Sequence, residues 1–224
     1  MPPKKPVASN TKPAVKTTTI AKPPAKTTTT KPVAKTTTTK PPAPTNGPAK
    51  KEEVAAPVVN QNLAIKQLAG VLAPDPGHEW CKSGKWPCLL DPTSTAGTFL
   101  RYRDTNYLQA ISPEDMNSER IRKALLGGLR YGKPMVIDMG EIDRFNMITS
   151  QVNNVQPGLM NKILDKRILN VDEFTPLVKQ EDGEDYQPSR FTGGMADQFV
   201  FIVLMNGDVP PPDAGTKMFY ILVQ

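Results

Sequence analysis

Trp86-Pro87-Cys88-Leu89-Leu90-Asp91-Pro92, followed by Thr93-Ser94-Thr95-Ala96-Gly97-Thr98-Phe99-Leu100, is the stretch that decides the fold. Its first five residues form a short apolar run without polar alternation, closed by Asp-Pro, which is the pattern of a strand covered on both faces. The Thr/Ser/Gly residues behind it open a helix, so the pair makes the strand-loop-helix step from which α/β sheets are built. Similar text recurs downstream. Ser112-Pro113-Glu114-Asp115 predicts a helix start, with Ser112 as cap and Pro113 at the first helical position. Ile121, Leu125, Leu126 and Leu129 then supply an inward face before Gly132 ends the helix. Lys133-Pro134 introduces Met135-Val136-Ile137-Asp138, read as a buried strand. A helix around Ile148–Ile163 is interrupted at Pro157-Gly158, and Glu181-Asp182-Gly183-Glu184-Asp185 is a polar turn. Phe199–Met205 and Met218–Val223 read as two last core strands.

Upstream the language changes. Residues 1–51 hold eleven lysines and no acid, leaving 17 basic against 22 acidic residues afterwards, so the net charge of +6 divides into +11 and −5. A cationic arm on an acidic body points to an anionic polymer or surface as partner. Lys16-Thr17-Thr18-Thr19, Lys26-Thr27-Thr28-Thr29-Thr30 and Lys35-Thr36-Thr37-Thr38-Thr39 repeat with Lys-Pro pairs between them. No aromatic side chain precedes Trp80, and the frequent prolines forbid sustained helix, so 1–51 is expected to be a disordered, extended basic tail. Spaced lysines on such a chain suit the acidic surface of microtubules, through weak, salt-screened and additive contacts. The candidate tubulin-binding residues are Lys4, Lys5, Lys12, Lys16, Lys22, Lys26, Lys31, Lys35 and Lys40. A solubilising linker and a chromatin-binding tail share this vocabulary. The lack of arginine and aromatic residues argues against specific base reading, though nucleic acid stays among the possible partners.

Residues 52–83 read as a linker, in which Val59, Leu63, Ile65, Leu68, Ala69 and Leu72 give a short amphipathic helix ending at Ala73-Pro74-Asp75-Pro76-Gly77. His78, Cys81, Cys88 and Asp91 are the one grouping with metal-ligand chemistry. Paired cysteine spacing is missing, so no metal is expected and the two cysteines are read as free thiols in a reducing compartment. No run of eighteen apolar residues occurs and the N-terminus begins with Pro and Lys, so a soluble, intracellular chain with no membrane partner is expected.

A strand-loop-helix layout invites comparison with phosphate-binding folds. A working P-loop needs glycines that let backbone amides curl round phosphate, then Lys-Ser or Lys-Thr. The loop from Asp91 through Thr93, Ser94, Thr95 and Gly97 to Thr98 has one glycine and no lysine. Asp138 closes an apolar strand where such folds place a magnesium-binding acid, with Glu141 three residues on, and Asn206 ends the strand that can orient an attacking water. Acids at strand ends are also ordinary caps, and Asn206-Gly207-Asp208 is also a turn. These nine positions are read as a vestigial nucleotide site with no catalytic residue and no cofactor.

The Trp86–Pro92 strand, Tyr131-Gly132-Lys133-Pro134-Met135-Val136-Ile137 and Phe199–Met205 followed by Pro210-Pro211-Pro212 resemble the fifth AAA+ module of dynein heavy chains. They are also similar to the C-terminal domain of IQ-motif and ankyrin-repeat proteins. The resemblance covers about residues 84–223. It implies an α/β, P-loop-NTPase-like (AAA+ core) three-layer sheet that does not use nucleotide, with Asp91 to Thr98 at the degenerate P-loop position. Because the sequence stops after Val223, the helical lid is expected to be missing, and 84–224 is read as a degenerate dynein-AAA+-like domain. The function expected is non-enzymatic: a ciliary or axonemal structural component in the cytoplasm and cytoskeleton, with tubulin and other axonemal proteins as partners. The alternatives are an ATPase or switch whose site a partner completes, and a chromatin-binding protein.

Overall fold

The computed structural model describes residues 57–224; the tail lysines from Lys4 to Lys40 lie outside the described residues. Six strands form one sheet: β1 (Gln61–Leu63), β2 (Trp86–Leu90), β3 (Asn106–Gln109), β4 (Met135–Asp138), β5 (Phe201–Met205) and β6 (Met218–Val223). All pairings are parallel, in the order β1-β6-β2-β5-β4-β3. The helices are α1 (Glu79–Lys82), α2 (Thr95–Arg101), α3 (Ser118–Tyr131), α4 (Phe145–Val155), α5 (Leu159–Leu164), α6 (Val171–Phe174) and α7 (Gly193–Ala196), with 3-10 turns between them. Every residue of β2 and β4 is buried, so both sheet faces are covered and the body is a three-layer α/β fold. Pro87 is tolerated inside β2 because the ladder to β5 begins only at Cys88↔Val203. Trp86 anchors β2 to the helical layer by donating its indole N–H to the Ile163 carbonyl at 2.6 Å.

The strands expected at 86–90, 135–138, 199–205 and 218–223 form within a residue or two, and the break at Pro157-Gly158 separates α4 from α5. Two expected helices change. Ser112-Pro113 does not start α3: Ser112 Oγ accepts the Asp115 N–H at 3.2 Å while Asp115 Oδ2 accepts the Gln109 N–H at 2.9 Å. Asp115 is thereby committed to the end of β3 and holds a turn, and α3 begins at Ser118 with Asn117 Oδ1 capping the Glu119 N–H at 2.9 Å. In the stretch read as a linker helix, residues 61–63 instead add a parallel edge strand, register Gln61↔Ile221, and Ile65–Leu72 is a 3-10 helix that buries Leu68 and Val71. Pairing with the outer edge of β6 outweighs the helical period there.

Arg122 ties α3 to the segment that follows α6. Its guanidinium donates to both Asp182 carboxylate oxygens at 2.6 Å and to the Leu177 carbonyl at 2.7 Å, and it also pairs with Glu119. Lys179 Nζ reaches Glu119 Oε2 at 2.7 Å. The Arg122 hydrogen bonds hold both carboxyls at about 2, below the ordinary carboxylate range. Depressed folded-state values mean that the stabilisation is complete above the unfolded-state values near 4 and is lost as pH falls from about 4 to about 2. Thermal unfolding followed from pH 6 to pH 2 should show a loss of stability in that window. The loss should be smaller in Arg122→Leu.

Candidate functional site at the carboxyl ends of the strands

Strands β2, β5 and β4 are neighbours, so the sheet brings Asp91, Asn206 and Asp138 to one edge. Backbone bonds hold the edge together: Asp91 N–H to the Met205 carbonyl at 2.9 Å, Met139 N–H to Leu204 at 2.8 Å, and Asn206 N–H to Gly140 at 2.8 Å. In an open parallel sheet this is where ligands bind. Glu141 stands three residues beyond Asp138 on the exposed loop.

The loop after β2 is filled by its own chain. Asp91 is fully buried; Oδ2 accepts the Ala96 N–H at 2.6 Å, and Oδ1 accepts the Thr93 N–H at 3.1 Å and the Thr93 hydroxyl at 2.8 Å. The first turn of α2, which in a phosphate-binding loop would present its amides to an anion, therefore presents one to an internal carboxylate. Thr93 and Thr95 hydroxyls lie 2.6 Å apart, and Ser94 takes the left-handed conformation at φ 58°. Thr93, Ser94, Thr95 and Thr98 are exposed. Gly97 is closely packed: a Cβ there would meet Leu204 Cδ2 at 3.3 Å and the Tyr107 hydroxyl at 3.4 Å.

Asp138 is equally engaged. Its Oδ2 accepts the Tyr107 hydroxyl at 2.7 Å and the Arg101 guanidinium at 3.4 Å, and its Oδ1 accepts the Gly140 N–H at 2.9 Å. Arg101 also lies 4.9 Å from the centre of the Tyr107 ring. Burial, then the bond to Asp138, pushes the Tyr107 phenol far up, so it stays a hydrogen-bond donor at all ordinary pH. Tyr107 escaped sequence reading because β3 itself did, and nothing local marks Arg101 at the end of α2 as a partner of Asp138.

Charge on this edge opposes phosphate. The loops 91–98, 110–117, 139–144 and 206–209 hold six acids, Asp91, Glu114, Asp115, Glu141, Asp143 and Asp208, against Arg144, while Arg101 and Arg120 are paired with Asp138 and Asp115. A nucleoside triphosphate would meet net negative potential. Hollows of about 580 Å³ beside Cys81 and about 420 Å³ beside Lys179 open elsewhere.

The residues singled out for metal chemistry are occupied differently. The His78 ring stacks on Trp80 at 6.2 Å, Cys88 lies inside β2 where burial pushes its thiol far up, and Asp91 is spent on α2. Both cysteines are free thiols. Among the described residues no helix is long and apolar enough to cross a membrane.

Removing either strand-end acid leaves donors without partners. Asp91→Ala and Asp138→Ala should each cost about 1–3 kcal/mol of unfolding free energy, measured by urea denaturation. No family model matches the chain.

Proposed function

We propose that this chain is a non-catalytic cytoskeletal protein, a microtubule-associated structural component of the cilium or axoneme. Its basic tail contacts acidic tubulin surfaces, and its α/β body is a degenerate AAA+ core, similar to the fifth module of dynein heavy chains, used as a docking block. The observation that carries the reading is the internal use of the nucleotide-site positions. Asp91 caps α2 and Asp138 is held by Arg101, Tyr107 and Gly140, so the groups that would receive phosphate and magnesium are spent on the fold. The +11 charge of residues 1–51 supports an anionic polymer as partner of the tail.

The adjacency of Asp91, Asn206 and Asp138 on three neighbouring strands favours a second reading, a nucleotide-dependent switch whose missing cation a partner supplies. Co-sedimentation with stabilised microtubules separates the two. The full chain should pellet at low salt and less at physiological salt, with no effect of ATP, and a chain beginning at Lys51 should stay in solution. ATP dependence would favour the switch, and competition by double-stranded DNA at equal phosphate would favour chromatin.

A further inference from the structure

The acidic carboxyl edge also carries exposed aliphatic side chains. Ile111, Ile142 and Val209 are 63%, 62% and 65% exposed, and each lies in the loop that follows one of three neighbouring strands, β3, β4 and β5. Single exposed aliphatics need no explanation, but these three stand on the loops that leave the same end of three adjacent strands, which we call the ledge.

Main-chain and carboxylate bonds make the ledge firm. The Ala110 N–H donates to the Asp138 carbonyl at 2.8 Å, joining the β3 loop to the end of β4. Asp143 Oδ1 accepts the Phe145 N–H at 2.9 Å while its Oδ2 accepts the Asp213 N–H at 2.9 Å, and Asn206 N–H donates to Gly140 at 2.8 Å. The β4 and β5 loops are thus fixed to each other, with Ile142 on one and Val209 on the other.

Charge around the aliphatics is one-sided. Glu114, Glu141, Asp208 and Asp213 are exposed on these loops. Of the nearby cations, Arg144 turns its guanidinium inward to the Met139 carbonyl at 2.5 Å, and Arg101 and Arg120 are paired with Asp138 and Asp115. Three strand ends span two inter-strand spacings, about 10 Å, which is the width of one α-helix.

From these features we infer that the ledge is a docking surface for a basic amphipathic helix of a partner protein. The helix lays aliphatic residues over Ile111, Ile142 and Val209 and sets lysines or arginines against Glu114, Glu141, Asp208 and Asp213. The inference deepens the docking-block reading of the body and rests on it, but it does not involve the tail.

The test is titration of the full chain with a synthetic eighteen-residue amphipathic Leu/Lys helix at 50 mM salt, followed by fluorescence anisotropy. A control peptide carries Glu in place of Lys. Binding of the Leu/Lys peptide is expected to depend on the ledge residues, whereas any binding of the Leu/Glu peptide to the lysine tail should be the same in parent and ledge variants. Ile142→Ser with Val209→Ser, and separately Glu141→Lys with Asp208→Lys, should each weaken it at least tenfold with unchanged thermal midpoints, and the serine variant should leave microtubule co-sedimentation unchanged. Equal binding to the parent and both variants would overturn the ledge as the site. Loss in the serine variant alone would overturn the basic character of the partner. No binding by a chain that still co-sediments would overturn the surface while leaving the tail reading intact.

Discussion

Arg122→Leu should lower the unfolding free energy by about 3–5 kcal/mol, the cost of removing one partner from a buried ion pair. The Arg122 side chain is 4% exposed and its guanidinium satisfies both oxygens of Asp182, whose side chain is 3% exposed. Leucine fills the apolar part of the site but leaves the Asp182 carboxylate and the Leu177 carbonyl without that donor. The cost lies in the stranded charge, not in lost volume, so the double variant Arg122→Leu with Asp182→Leu should recover much of the loss. Urea midpoints of the two single variants and the double variant, read as a cycle, check this. A double variant as unstable as the sum of the singles would show that the guanidinium acts through packing alone.

The same residue shows what the reading of the sequence passed over. Arg122 falls on the inward face of α3 beside Ile121, Leu125 and Leu126, and a charge on an apolar stripe is a visible sign of a buried partner. That partner lies 60 residues on, in a segment legible only as a polar turn, because nothing local distinguishes Asp182 from Glu181 or Asp185. Strands β2, β4, β5 and β6 were legible because burial on both faces demands unbroken apolar runs. Strands β1 and β3 sit at the two edges of the sheet, where Gln61-Asn62-Leu63 and Asn106-Tyr107-Leu108-Gln109 keep polar residues and leave no run to read.

The candidate site divides along the same line. The positions of Asp91 and Asp138 followed from strand ends that the apolar runs announce. The use of those acids did not follow, since Asp138 depends on Tyr107 from an edge strand and Asp91 on amides of its own loop. The structure turns an argument from a missing lysine into one from occupied oxygens. A mere lack of phosphate-binding cations leaves room for a partner to supply one. Carboxylates that already hold Ala96, Thr93, Tyr107 and Gly140 would have to surrender those bonds before nucleotide and magnesium could enter.

The largest functional effect should come from the tail. Changing Lys16, Lys26, Lys31 and Lys35 together to glutamine removes four of the eleven cations in residues 1–51. Exposed ion pairs contribute about 0.5 kcal/mol each, so four sum to about 2 kcal/mol, which is about a thirtyfold loss of affinity for a polyanionic surface. Glutamine keeps the length and polarity of the side chain, which isolates charge as the cause. Co-sedimentation with microtubules across a salt series measures both the affinity and its slope. The quadruple variant should bind more weakly at every salt concentration and should lose affinity less steeply as salt rises, because fewer charges remain to be screened. Asp138→Ala should leave both quantities as they are, since that acid is bound to Arg101, Tyr107 and Gly140 within the fold. Equal affinity of parent and quadruple variant would locate microtubule binding outside these lysines; loss of all binding in Asp138→Ala, with the domain still folded, would return the strand-end acids to the function.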